Sequence, residues 1–202
     1  MRPGSTQKLF IDGPAGKLEI AINEPAQPRG IALLAHPHPL YGGTLDNKVV
    51  QTLAKAFVTL GYRALRLNFR GVGASEGVFD EGRGEIEDFL ALAAYGRETF
   101  GDGKVAIGGF SFGGFIAATA ARELSPQHLV LVAPAVGRFA VGKVADNTLV
   151  VHGDEDDVVP MREVLDWARV QSLPVVVFPG AGHFFHGSLI TLQSLVERHC
   201  RD

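Results

Sequence analysis

The chain has 202 residues, of which 46% are hydrophobic and 20% charged, and its formal net charge is -3. That length holds one substantial core and is short for two, and the weakly acidic balance supplies no basic field for nucleic acid or an anionic membrane. No apolar run approaches the ~20 residues of a membrane span, the start Met1-Arg2-Pro3-Gly4-Ser5-Thr6-Gln7 has no hydrophobic targeting core, and the lone Cys200 excludes an internal disulfide; a single cytoplasmic domain is expected.

In chain order, Lys8 to Asp12 and Lys17 to Asn23 alternate apolar and polar residues around Gly13-Pro14-Ala15-Gly16, which predicts an antiparallel hairpin at a sheet edge. Ile31 to Ala35 is a continuous apolar run, the pattern of a strand covered on both faces. After the loop His36-Pro37-His38-Pro39-Leu40-Tyr41-Gly42-Gly43-Thr44, a helix is expected from about Asp46 to Leu60. Val49, Val50, Leu53, Ala56 and Phe57 share one of its faces, and Gly61 stops it. Tyr62 to Phe69 reads as a strand leading into Arg70-Gly71-Val72-Gly73-Ala74-Ser75-Glu76-Gly77, and Glu85 to Thr99 repeats the helical pattern. Lys104 to Gly108 is a strand and Phe112 to Leu124 a helix. His128 to Ala133, Thr148 to His152 and Val175 to Phe178 are further short strands, with helices around Met161 to Gln171 and from about Phe185 to Arg201. This alternation predicts an α/β fold: a mostly parallel eight-stranded sheet with helices on both faces. In such sheets function gathers at the carboxyl ends of the strands.

Gly109-Phe110-Ser111-Phe112-Gly113 joins a buried-type strand directly to a helix. A serine at the apex of so tight a turn is forced to positive φ, and only residues without a Cβ let strand and helix approach on either side. The hydroxyl is then exposed above the sheet, in front of a helix N-terminus that favours negative charge. A serine hydroxyl needs a base to become nucleophilic, and the base needs a carboxylate to orient it. Gly180-Ala181-Gly182-His183 follows the last strand and supplies His183; the loop His152-Gly153-Asp154-Glu155-Asp156-Asp157-Val158-Val159-Pro160 supplies the carboxylate.

The order serine, acid, histidine resembles the three catalytic segments of the α/β-hydrolase superfamily. The loops at His36 to Gly43 and Asn68 to Gly77 are similar to those of small bacterial serine hydrolases without a lid, related to dienelactone hydrolases. The nucleophile position holds Ser111 where dienelactone hydrolase proper has cysteine, so that enzyme's substrate does not carry over. The resemblance implies the α/β-hydrolase fold with no cap domain, and its spacing after Gly153 and before Pro160 selects Asp156 as the acid, with Asp154 and Asp157 as fallbacks.

The oxyanion hole is expected to use the N–H of Phe112 and one from the loop after Ile31 to Ala35. Proline has no N–H, which removes Pro37 and Pro39; by position His38 comes first, with Leu40 or Tyr41 behind it. Between the strand ending at Ala133 and the next, only Pro134 to Asn147 intervenes, too little for a cap. An open, shallow site is expected, lined by Leu40, Tyr41 and Phe112, with Phe139 and Phe184 as further candidates. It suits a small-molecule ester cleaved without cofactor or metal; the same triad leaves thioesters, lactones and small amides or peptides open, a non-catalytic binding module is the weaker alternative, and the choice between monomer and homodimer stays open. Competing readings are weaker: the His36-x-His38 pair and His183 with His186 lack the accompanying carboxylate or histidines of a metal site, and the acidic loop lacks regular calcium spacing. Gly71-Val72-Gly73 with Gly77 misses the dinucleotide spacing; the resemblance implies a structural loop there, with Ser75 fixing the turn.

Overall fold

The computed structural model describes residues 5–201, so the targeting reading of residues 1–4 lies outside the described residues. Ile31 to Ala35 is apolar throughout because β3 (Gly30–Ala35) runs through the middle of the sheet. Ile31, Leu33 and Ala35 enter the core on one face, Ala32 and Leu34 on the other. β1 (Thr6–Gly13) and β2 (Gly16–Asn23) form the expected edge hairpin, with Gly13 opposite Gly16. The remaining strands are β4 (Tyr62–Leu67), β5 (Lys104–Phe110), β6 (His128–Val132), β7 (Leu149–Gly153) and β8 (Val175–Phe178). Their order is β1-β2-β4-β3-β5-β6-β7-β8 in one eight-stranded sheet, antiparallel at β1, β2 and β4 and parallel from β4 to β8.

α1 (Lys48–Thr59) and α5 (Leu189–His199) cover one face; α2 (Arg83–Phe100), α3 (Phe112–Leu124) and α4 (Met161–Arg169) cover the other. The predicted apolar face of α1 is buried in full, and Asn47 caps its start by accepting the N–H of Val49 at 2.9 Å. The connection from β6 to β7 contains no helix or strand, so no cap domain covers the carboxyl end of the sheet. This is the α/β-hydrolase fold without a lid. Among the described residues no helix is long and apolar enough to cross a membrane.

Two features differ from the sequence reading, one a helix start and one the burial of a strand. The last helix starts at Leu189, four residues after the expected Phe185, because the chain turns through left-handed conformations at Phe185 (φ 52°) and Gly187 (φ 78°). Phe185 is fully buried and packs edge-on against Phe178 at 5.6 Å, so burying the ring bends the chain before the helix can begin. β8 is an edge strand, and Val177 is correspondingly exposed despite its apolar sequence.

The glycine-rich loop after β4 is structural. The Ser75 hydroxyl donates to Asn68 O at 2.7 Å and accepts the Glu19 N–H at 2.9 Å. Arg70 grips Asp88 of α2 through Nε and Nη2 at 2.8–3.1 Å, with both side chains buried. These bonds fix the end of β4, against which the loop after β3 packs through the Phe69 N–H donated to His36 Nε2.

Candidate active site

Ser111 sits between β5 and α3 with φ 56° and ψ −116°, the strained conformation expected of the turn. The strain is held in place by β6 and its following loop: Ser111 N–H donates to Val132 O at 2.9 Å, and Ser111 O accepts from Gly114 at 2.9 Å and Ala135 at 3.2 Å. A Cβ on Gly109 would lie 2.1 Å from Gly113 O, and one on Gly113 2.3 Å from Ala35 O. Glycine is therefore required on both sides of the serine.

His183 and Asp156 meet at the ends of β8 and β7. His183 Nδ1 is 2.7 Å from Asp156 Oδ2, and both side chains are almost wholly buried. Asp156 Oδ1 accepts the N–H groups of Val158 at 2.9 Å and Val159 at 2.8 Å. Burial pushes this carboxyl upward, but the His183 bond, the two backbone N–H groups and the imidazole's charge outweigh it and hold Asp156 below the ordinary carboxylate range. Asp154 is spent on Gly180 N–H at 2.6 Å, and Asp157 is exposed, so neither fallback acid reaches His183. Behind the acid, His152 is fully buried: its Nε2 donates to Val159 O at 2.9 Å and stands 3.7 Å from Asp156 Oδ2. Ser111 Oγ makes no hydrogen bond to a described residue.

Ser111 and His183 open onto a cleft of about 440 Å³. Phe112, Phe139, Phe184 and Tyr41 give it an aromatic wall; Val158, Val159 and Ala135 add aliphatic surface; and Asn47, His38 and Arg138 are its other polar side chains. Leu40 corrects the sequence reading. It is 67% exposed and does not line the cleft, because the short helical turn Pro39–Tyr41 puts Tyr41 and Leu40 on different sides. Arg138 and Asn47 line the cleft without being singled out in the sequence, although the position of Arg138, past the carboxyl end of a parallel strand, is a usable signal.

The His-x-His pair is divided between two environments. His38 lines the cleft, while His36 is fully buried, its Nε2 accepting Phe69 N–H at 3.1 Å and its Nδ1 2.6 Å from Pro37 O. Accepting at Nε2 places the ring proton on Nδ1, which therefore donates to Pro37 O. A trans peptide points its carbonyl and its following N–H in opposite directions, so the bond that ties Pro37 O down also orients the His38 N–H. Neither that N–H nor the Phe112 N–H finds an acceptor among the described residues.

Burial lowers the His36 pKa from 6.5 to about 4, against the raising effect of Pro37 O. Such a group binds protons in the unfolded chain first, so its contribution to stability is complete above 6.5 and is lost as pH falls toward 4. The stability advantage of the wild type over His36→Asn is therefore expected to narrow, by on the order of 3 kcal/mol, between about pH 7 and pH 4. Urea denaturation of both proteins across that range measures it; a constant gap would mean that folding leaves the His36 pKa unshifted.

The sequence pattern of the X-Pro dipeptidyl-peptidase (S15) family matches residues 12–153, well over half of the chain. The chain belongs to that family. The matched S15 region reaches from the edge hairpin through the Ser111 elbow to the end of β7, and stops before Asp156 and His183. XC6422 of Xanthomonas campestris, described as an α/β serine hydrolase without a lid, is 36% identical, with 98% of this chain and 95% of that one covered and a TM-score of 0.92. An α/β serine hydrolase homologue from Coxiella burnetii is 42% identical over 96% of this chain and 97% of its own, with a TM-score of 0.90. RP471 of Rickettsia prowazekii is 32% identical, covering 95% of this chain and 92% of its own. Like XC6422, this S15-family chain is an α/β serine hydrolase without a cap.

Proposed function

We propose that the protein cleaves small carboxylic esters through an acyl-enzyme intermediate on Ser111. The observation that carries this reading is the 2.7 Å bond from buried Asp156 to His183, in the same cleft as a serine held at positive φ. Ser111 Oγ attacks the ester carbonyl as His183 takes its proton, and Asp156 fixes the ring and balances the imidazolium. The N–H groups of Phe112 and His38 receive the oxyanion. His183 returns the proton to the departing alcohol, and water then releases the acid by the same steps in reverse. No cofactor takes part, and the partner is a small molecule rather than nucleic acid or membrane; the chain works as a single cytoplasmic domain. The same groups would open thioesters and lactones.

The S15 family name favours a second reading, release of dipeptides from peptide N-termini. A dipeptidyl-peptidase holds the protonated α-amine of its substrate, which calls for a carboxylate facing the cleft. Among the described residues the formally charged side chain lining the cleft is Arg138, a cation. That supports the ester. The uncapped cleft likewise supports a soluble short-chain ester over an emulsified lipid.

Purified protein is expected to hydrolyse ethyl butyrate with ordinary saturation kinetics and to leave glycyl-proline p-nitroanilide essentially intact. Faster cleavage of the anilide, or of tributyrin emulsion over ethyl butyrate, would overturn the reading.

A further inference from the structure

Arg138 has no structural employment. Its side chain is exposed, lines the cleft, and makes no hydrogen bond or ion pair with a described residue. Asp157 and Glu163 share an adjoining depression with it, yet neither pairs with it. It stands beside a second donor. His38 Nδ1 accepts the Leu40 N–H at 3.2 Å, and burial together with the Arg138 charge holds the ring below its ordinary pKa and hence neutral near pH 7. A neutral ring that accepts at Nδ1 carries its proton at Nε2, where it has no partner among the described residues.

We infer that the preferred substrate bears a carboxylate on its acyl portion, bound by the Arg138 guanidinium with help from His38 Nε2–H. This rests on the ester reading. The choice of the acyl side follows from the proton's path: His183 hands its proton to the departing alcohol, so the alcohol lies toward His183 and Phe184. The part that stays bonded to Ser111 is left the wall of Phe112 and Phe139, whose rings meet edge-on 5.1 Å apart beside His38, and Arg138 precedes Phe139 in the chain. A short methylene chain lies against those rings and ends at the cation. The substrate class is thus the half-ester of a short dicarboxylic acid. Ser111 Oγ forms a bond to the ester carbon, the alcohol leaves with the proton from His183, and water frees the diacid and restores the serine.

The test compares monoethyl glutarate with ethyl pentanoate, which differ by a carboxylate in place of the terminal methyl. The ratio of their kcat/KM values on one preparation does not depend on how much of it is folded. A guanidinium–carboxylate contact in an open cleft is expected to favour the half-ester roughly tenfold at low salt. Arg138→Gln should bring the ratio to about one, Arg138→Glu below it, and Arg138→Lys should restore most of it. A wild-type ratio at or below one, or one that Arg138→Gln leaves unchanged while ethyl pentanoate is still cleaved, would overturn the inference and leave the ester reading standing. Cleavage of neither ester would overturn both.

Discussion

Ser111→Ala is expected to lower kcat/KM for a soluble ester by at least about 10⁴-fold, since without Oγ no acyl-enzyme can form. What survives is the slow attack of water on a carbonyl polarised by the Phe112 and His38 N–H groups. The loss will not come from unfolding. The elbow is held by main-chain bonds, Ser111 N–H to Val132 O at 2.9 Å and Ala135 N–H to Ser111 O at 3.2 Å, which alanine retains. The serine hydroxyl contributes no bond to a described residue, and φ 56° strains alanine no more than serine. The midpoint of urea unfolding should therefore stay within about 1 kcal/mol of wild type. Full activity in the variant, measured with steady-state kinetics, would remove the serine from the chemistry.

Asp156→Asn is expected to cost about 10³–10⁴-fold in kcat with little change in KM, because the side chain is buried and touches His183 rather than substrate. The reason lies in its donors. Asp156 Oδ1 accepts two backbone N–H groups and Oδ2 accepts His183 Nδ1–H, so every polar hydrogen around the carboxylate points inward. An asparagine must turn its NH₂ either toward the Val158 and Val159 N–H groups or toward His183. Keeping the loop intact forces the imidazole to present an unprotonated Nδ1, which puts its proton on Nε2 and removes the lone pair that Ser111 needs. The same bonds hold the Asp156 pKa below 3.8. Its contribution to stability is thus present above that value and fades as pH falls through the folded-state pKa. A variant with unchanged kcat would mean that another carboxylate orients His183.

How much of this was legible depends on how local its cause is. The elbow was readable because a positive-φ serine between close-packed strand and helix demands glycine at Gly109 and Gly113, a constraint written within five residues. The apolar run of β3 announced a strand covered on both faces for the same reason. Choosing Asp156 among its acidic neighbours needed the resemblance, since only the folded loop turns Asp154 toward Gly180 and Asp156 toward His183. The start of α5 and the exposure of Leu40 were hidden because single turns, at Phe185 and at Pro39–Tyr41, decide them. The place of Arg138 past the carboxyl end of β6 was readable, but that it lines a cleft follows only from the fold of the β6–β7 loop, which closes that cleft on one side.

Labelling with a fluorophosphonate probe bears on all of these statements at once, because such probes react with a serine only when a neighbouring base activates it. Intact protein is expected to label stoichiometrically, and Ser111→Ala not at all. Folded wild-type protein that stays unlabelled, or a Ser111→Ala variant that labels as fast as wild type, would contradict a nucleophilic Ser111 activated by His183.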